Sequence, residues 1–426
     1  MDKPNIDEPA SISELKARLF EKERVEKYLR AEVEELWTHI NDLNKIPFLD
    51  LHLKIVSLFR FFVRKIKQVL LPTKKSKTQN QVRKPRTKDL SVDVLLVLPT
   101  DKIEIGGLVS ATKLVKQLGN FGFSIKILSL NHDPTGQMET DSDFISSLPE
   151  SFKTKLVISS GAETIKFVQD YAKKYGTKSL LLMQGPDPYF TPNFNNASEY
   201  LTSIPSFDSV VALSPFLTKL AKFWGAKRIV NATLGPDQSI FKLDVSVKKL
   251  NQIVVPCRFG VEKGIRFLIP TLKELRNASW KIVGFGDLPD LSMAKFFDDF
   301  LGRLSPEETS ILFQESMILI DPSLVEGLGL SALEASRCGC IPIVQKRGGF
   351  DGMFEFGKEP FIEITNFLDP ESILEAVRKS QTELNPKQVS DWVSHINWDN
   401  GFLIAKKEIS ELISNDSGWR QGDSNP

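Results

Sequence analysis

The chain of 426 residues has only three cysteines, Cys257, Cys338 and Cys340. An odd number leaves one unpaired, and Cys338 and Cys340 lie too close for an easy bridge, so small buried thiols in a reducing cytoplasm are expected rather than a disulfide framework. Histidine is as scarce. His39, His52, His132 and His395 stand far apart with no metal-ligand spacing, so no metal and no other cofactor is expected. No uninterrupted apolar run of about 20 residues occurs, and the first thirty residues are charged throughout, so neither a spanning helix nor a secretory leader is expected. The fingerprint GxGxxG is missing too, which argues against a dinucleotide-binding dehydrogenase.

What is present is the composition of a soluble globular protein, 41% apolar and 26% charged, with length enough for two or three domains. The net charge of +1 hides an asymmetry. Lys54 to Lys88 holds twelve basic residues and no acid, whereas residues 1–53 hold eight basic and twelve acidic ones. A basic belt between acidic parts points to an anionic surface as partner.

The first ninety residues read as two helical segments. Over 1–46, Ile12, Leu15, Leu19, Leu29, Val33, Leu36, Ile40 and Leu43 recur at alternating spacings of three and four, interrupted by Lys22 and Glu26. That pattern predicts a coiled-coil-like helix, with self-association through 11–46 or packing on the rest of the chain. Pro47 breaks it. In 47–90, Leu51, Ile55, Leu58, Phe59, Phe62, Val63 and Ile66 share one face, and Lys54, Arg60, Arg64 and Lys67 share the other. A basic amphipathic helix in the headgroup plane, followed by a basic linker, is expected. Its aromatics lie on the apolar face rather than between the bases, so no nucleic-acid partner is expected. The stretch 48–88 then places the protein peripherally on the inner face of the cell membrane, unless the helix packs on its own domain.

From residue 91 the pattern is α/β. Val94 to Leu98 reads as a buried strand, Gly106-Gly107 precede a helix over Leu108–Leu118, and Ser124 to Leu130 is the next strand. Strands at Leu156–Ser159, Ser179–Met183 and Ser209–Leu213 follow, each trailed by a helical pattern. The alternation predicts a doubly wound parallel sheet over 91–249 with ligands at the carboxyl ends of its strands. A second such domain is expected over 250–395, a closing helix over 396–414 and a disordered tail over 415–426.

The most informative stretch is Asp321 to Gly349, DPSLVEGLGLSALEASRCGCIPIVQKRGG. It reads as a strand end, a glycine loop, a short helix opened by Ser331 as N-cap, and a strand over Ile341–Val344. A helix start after such a loop offers backbone N–H groups and partial positive charge to a phosphate. Glu326 and Glu334 flank it, eight residues apart, so each can accept from hydroxyl groups on one side of that phosphate. For an arbitrary pair of glutamates, a solvated helix carboxylate and a loop cap are the commoner explanation.

The stretch resembles the Glu-x7-Glu signature of retaining family-4 glycosyltransferases (glycosyl transferases group 1), which have the GT-B fold and take nucleotide-activated sugars. The pattern EGFGLxxLEAxAxGxPVV…GG is matched at Glu326, Gly327, Gly329, Leu330, Leu333, Glu334, Ala335, Gly339, Pro342, Val344 and Gly348-Gly349. Upstream, Arg258 and Lys263-Gly264 match a family pair of cations, with Cys257 where glycine is usual. QGPDPYFTP from Gln184 is similar to a variant in rhamnosyltransferase-like enzymes of bacterial surface polysaccharides.

The resemblance implies two facing Rossmann-like domains with a cleft between them and an α-helical N-terminal extension. It implies transfer of a hexosyl or deoxyhexosyl group, with retention, from a nucleotide-diphosphate sugar to a hydroxyl of a glycan or lipid-linked acceptor, in polysaccharide synthesis. Arg258 and Lys263 would hold the leaving diphosphate without a metal, helped by the amides of Gly329 and Leu330, and Gly106 and Gly107 would approach the phosphates. Gly284 and Gly286 would pass near the base and Glu334 would hold the ribose. Glu326 would face the sugar hydroxyls and the oxocarbenium-like centre. Gln184 stands on the acceptor and sugar side where the family has histidine; it can exchange hydrogen bonds but cannot act as a base. A nucleotide-sugar epimerase of the same fold and an inactive membrane-associated scaffold are the competing readings.

Overall fold

A computed structural model describes residues 91–414 apart from 101–105, 132–142, 188–193, 346–347, 355–356, 365–366 and 368. The expected coiled coil over 11–46, the basic amphipathic segment over 48–88 and the tail over 415–426 lie outside the described residues. Among the described residues, no helix is long and apolar enough to cross a membrane.

Seven strands form the first sheet: β1 (Ser91–Thr100), β2 (Ile125–Asn131), β3 (Phe144–Ile145), β4 (Lys153–Ser159), β5 (Lys178–Met183), β6 (Ser209–Ala212) and β7 (Ile229–Asn231). Their order is β3-β2-β1-β4-β5-β6-β7, and the pairs are parallel. The chain winds outward from β1 to one edge, then returns to lay β4 on the other side of β1. That reversal opens a crevice at the carboxyl ends of β1 and β4, the place where such sheets take ligands. Parallel strands carry helices on both faces, so they need apolar residues on both; Val94 to Leu98 of β1 are all buried.

The helices of this half are α1 (Gly106–Gly119), α2 (Ile165–Tyr175), α3 (Phe194–Ser203) and α4 (Pro215–Phe223). Gly176, in the left-handed region at φ 65°, ends α2 and returns its N–H to the Ala172 carbonyl. Ser214 opens α4 as N-cap, its oxygen accepting the Leu217 N–H, and Pro215 takes the first helical position, where no N–H is needed.

The second sheet repeats the plan with β8 (Leu250–Cys257), β9 (Lys281–Gly286), β10 (Asp299–Phe300), β11 (Ser316–Asp321), β12 (Ile341–Val344) and β13 (Ile362–Glu363). The order is β10-β9-β8-β11-β12-β13, again parallel throughout. Its reversal lies between β8 and β11. Two cores cover its two faces: Ile253, Val255, Cys257, Ile318 and Ile320 point into one, Val254 and Leu319 into the other. Helices α5 (Ile265–Asn277), α6 (Pro306–Glu315), α7 (Leu330–Arg337), α8 (Pro370–Glu383) and α9 (Pro386–Trp392) complete this half. All three cysteines are buried and free. Cys257, at a position where a glycine was expected, turns into the core and leaves the strand end undisturbed.

The last helix, α10 (Trp398–Ser414), belongs to the first core rather than the second. Trp398, Phe402, Ala405, Ile409 and Leu412 bury one face there. Arg228, the residue before β7, pairs with both Glu408 and Glu411 of this helix. Where the chain leaves the first half and returns to it, the strands of backbone nearly touch. A Cβ on Gly235 would lie 2.4 Å from the Ile396 carbonyl oxygen, and one on Gly401 2.5 Å from that of Thr233.

Candidate functional site

The reversal between β8 and β11 brings four charged side chains together. Arg258 follows β8 directly, Asp321 ends β11, Lys263 closes the turn before α5, and Glu326 lies in the loop before α7. Arg258 donates from Nη2 to Asp321 Oδ2 at 2.5 Å and reaches Glu326 Oε1 from Nη1 at 3.0 Å. Lys263 Nζ meets the same Glu326 oxygen at 3.0 Å. Ser323 donates to the other Asp321 oxygen at 2.7 Å, with its own N–H on that atom as well. Burial alone would raise the Glu326 carboxyl, but the Lys263 and Arg258 cations overcome it and hold it down at about 2. Glu326 is therefore an anion throughout the physiological range.

The glycine loop is fixed by its own close contacts. Gly348 pairs with Glu326 as an isolated parallel bridge, and the Gly349 N–H donates to the Glu326 carbonyl at 2.7 Å. A Cβ on Gly349 would meet Leu328 backbone at 2.4 Å, so the later Gly-Gly pair exists to let this loop lie flat. The helix after the loop starts earlier than the sequence pattern predicts. Gly329, at φ 73°, is the N-cap of α7 and no side chain caps it, so Ser331 lies inside the helix. The Ala332 and Leu333 N–H groups both return to the Gly329 carbonyl, at 3.1 and 3.2 Å, so those of Leu330 and Ser331, ahead of the first helical bond, are the ones this helix start can offer to an anion.

Glu334 lies in the second turn of α7, within reach of the Arg258 charge. Burial pushes its carboxyl up to about 8, against the pull of Lys113 and Arg258. Lys113, from α1 of the first half, forms a 2.7 Å ion pair with Asp237, which follows the chain's crossing into the second half. Asp237 adds its own negative charge to the neighbourhood of Glu334.

The two halves meet at the glycine loop. A Cβ on Gly327 would come within 2.1 Å of the Gln184 carbonyl oxygen and 2.8 Å of Gly185 Cα. Ser214, the N-cap of α4, also donates its hydroxyl hydrogen to the Gly327 carbonyl at 2.6 Å. Lys219 of α4 reaches Asp351 at 3.1 Å. Gln184 thus stands beside the loop that carries Glu326, with its side chain against Gly107; it donates from Nε2 to the Ser160 carbonyl at 3.1 Å.

Among the expected residues, Arg258, Lys263 and Glu326 converge, and Gly327 brings them against Gln184 and Gly107. Gly106 lies in the first turn of α1. Leu330 is the first residue of α7. Gly284 and Gly286 have reasons of their own to lack a side chain. A Cβ on Gly284 would press into Phe297 at 2.8 Å, and one on Gly286 would lie 2.3 Å from the Cys257 carbonyl oxygen. Sequence reasoning missed Asp321, Lys113 and Asp237 as part of this region. Asp321 ends an apolar strand run, and a carboxylate at the carboxyl end of a switch-point strand was the available signal.

Comparisons with known proteins agree with this architecture. The sucrose-phosphate synthase of Thermosynechococcus elongatus superposes with a TM-score of 0.61 at 14% identity, over 76% of this chain and 100% of its own. The Anabaena protein HepE, solved in complex with UDP-glucose, gives 0.57 at 13% identity over the same shares. The fold is GT-B. Residues 238–393 match the family described as Glycosyl transferases group 1. Glycogen synthase of Mycoplasma mobile is 22% identical over 304 residues, 67% of this chain and 58% of that protein. A sulfoquinovosyl transferase of Arabidopsis thaliana is 30% identical over 139 residues, 32% of this chain and 26% of its own. The alignments thus span less than two thirds of these relatives' lengths.

Two expectations follow from the geometry. Gly327→Ala forces a methyl group into the Gln184 backbone and should lower stability by roughly 1–3 kcal/mol, as overpacking does. It should also widen the X-ray scattering profile as the halves part; an unchanged profile and melting point would show that the contact is dispensable. The second concerns pH. Folded Glu334 keeps a proton up to about 8, whereas the unfolded carboxyl loses it near 4.5. Its contribution to stability is fullest below the lower value and is lost as pH rises towards the upper one. Glu334→Gln should therefore lose less stability than the parent between pH 5 and 8, by on the order of 1–2 kcal/mol once solvent in the cleft is allowed for. Parallel denaturation curves for the two proteins across that range would refute the burial argument.

Proposed function

We propose that the protein transfers a hexosyl or deoxyhexosyl group from a nucleoside-diphosphate sugar to a hydroxyl acceptor, with retention at the anomeric carbon, in the synthesis of a cell-surface glycan. The observation that carries this reading is the convergence of Arg258, Lys263 and Glu326 beside the uncapped start of α7. Breaking the bond to the diphosphate places growing negative charge on a leaving group, so preorganised cations and N–H donors are the main requirement. Arg258 supplies a planar fork, Lys263 a compact charge, and the N-terminus of α7 its amides. Glu326, anionic and one residue from the interdomain contact, faces the sugar and its positive transition state. Glu334 takes the ribose hydroxyls. A neighbour of this fold solved with UDP-glucose supports a nucleoside-diphosphate sugar as the donor class. No metal is required in this scheme, since the two cations and the helix start act on the diphosphate.

A thermal-shift series with UDP, GDP, ADP and dTDP tests the donor site. The matching nucleotide at a hundred times its dissociation constant should stabilise by about 2.7 kcal/mol, and the shift should fade in Glu334→Ala. Glu326→Gln should keep nucleotide binding and lose roughly 10²–10³ in turnover, the scale of one electrostatic contact at a transition state. Donor consumed equally fast without acceptor would favour an epimerase, and no shift with any nucleotide would leave only a scaffold.

The same reading places residues 48–88 on an anionic leaflet, which suits a lipid-linked acceptor. The full chain should sediment with phosphatidylglycerol vesicles at low salt, and not with phosphatidylcholine vesicles. Equal sedimentation with both, or binding that survives deletion of 48–88, would remove the membrane from the proposal.

A further inference from the structure

The two carboxylates that share Arg258 are held in different ways. Asp321 is the last residue of β11, and its backbone is paired inside the sheet, opposite Val344 of β12. Its carboxylate is fixed at both oxygens. Oδ1 accepts the hydroxyl and the N–H of Ser323, at 2.7 and 3.1 Å, and Oδ2 accepts from Arg258 Nη2 at 2.5 Å. The same Nη2 group reaches Ser323 Oγ at 3.3 Å, which closes a ring of three side chains. Glu326, by contrast, lies in the loop between β11 and α7 and accepts from the other prong, Nη1, at 3.0 Å.

A carboxylate this deeply buried at the end of an apolar strand is a poor choice for stability alone. Well-packed apolar residues in place of a buried ion pair often leave a fold as stable or more so. The Asp321–Arg258 pair therefore points to a use beyond holding β11 in place. Burial works against the Arg258 charge, and Asp321, ahead of Glu326, more than restores it. The guanidinium is thus divided. One prong is fastened to the sheet through Asp321, and the other rests on a carboxylate carried by a loop.

We propose that Asp321 is a positioning residue for the donor diphosphate: oriented by Ser323, it fixes Arg258 to the sheet so that Nη1 alone changes partner, from Glu326 to a phosphate oxygen. This role rests on the glycosyltransferase reading, and it gives Asp321 and Ser323 a part that the cations and the Glu-x7-Glu pair leave open. An arginine side chain is long and rotamer-rich, and ordering it at each binding event costs entropy. Without Asp321, both prongs are free to close on Glu326, which takes the guanidinium away from the phosphates. Held at Nη2, the side chain presents Nη1 at one place before the ligand arrives. A donor ordered in advance serves the charge growing on a leaving diphosphate better than one that must first be ordered. Asp321 itself touches no substrate and acts through Arg258.

Calorimetric titration of the full chain with UDP, GDP, ADP, dTDP and inorganic pyrophosphate tests this. In Asp321→Asn the amide keeps its oxygen on the Ser323 N–H and turns its NH2 group towards Arg258, so the guanidinium loses its anchor. Whichever of the five the parent binds should bind about tenfold more weakly, the scale of one hydrogen bond to a charged group. Ser323→Ala leaves the Asp321–Arg258 pair in place and should weaken the same ligand about threefold, the scale of one neutral hydrogen bond. Both losses should vanish in an Arg258→Ala background, where Asp321 has nothing to position. A merely structural role would give losses of the same size in both backgrounds, and that result would overturn the inference. So would unchanged or tighter binding in Asp321→Asn. Should that variant fail to fold, the Ser323→Ala pair of titrations decides by the same criterion. A parent that binds none of the five would fail the donor reading and this role with it. A parent that binds, with both variants unaltered, would fail the positioning role alone.

Discussion

The buried ion cluster at the β8–β11 reversal is the constraint around which the second half is arranged. Two cations and two carboxylates share a space where the Asp321 side chain is 4% exposed and that of Glu326 14%. Desolvating such charges costs several kcal/mol each, and only mutual pairing at hydrogen-bond distance offsets it. The pairing in turn demands that the ends of β8 and β11 sit side by side, which the parallel sheet order supplies. It also requires the glycine loop to lie close enough for Glu326 to reach both Arg258 and Lys263. Gly348 and Gly349, stripped of side chains, hold the loop there.

The same economy of glycine governs how the halves touch. Gly327 meets Gln184 backbone, Gly235 meets Ile396 and Gly401 meets Thr233, each at a distance that no Cβ would tolerate. The latter two lie where the chain crosses out of the first half and back into it. The Trp398 N–H donates to the Pro236 carbonyl at 3.2 Å, so the crossings are bonded backbone to backbone. Ser214 and Lys219 add a second set of ties between the halves, to Gly327 and Asp351.

Much of this was legible in the chain, for physical reasons. A parallel strand buried on both faces has to be an unbroken apolar run, so β1, β5, β6 and β11 announce themselves, and the Glu-x7-Glu stretch carries its own loop and helix. What the sequence could not show is pairing across distance. Lys113 and Asp237 are 124 residues apart, and nothing in either neighbourhood marks them as partners. Asp187 sits in the QGPDP run that the resemblance marked only through Gln184; the fold shows that its carboxyl accepts the Ala162 N–H of the Gly161 loop. The helix start misplaced at Ser331 shows the opposite error. A good N-cap residue was present, but a glycine in the left-handed region two residues earlier ends the loop more tightly.

The cluster also bears on the order of events in the proposed reaction. Glu326 pairs with Arg258 and Lys263, Asp321 pairs with Arg258, and the four charges sum to zero. In the proposed scheme a diphosphate at the start of α7 would compete for those cations, and each bond it took would release one from Glu326. The carboxylate would then become available to the sugar only with the phosphates in place. Asp321, held by Ser323, would anchor Arg258 throughout that exchange. Donor binding and the arming of Glu326 would in this way be one exchange of partners, and a free sugar, lacking the phosphates, would meet a carboxylate already paired with Arg258 and Lys263.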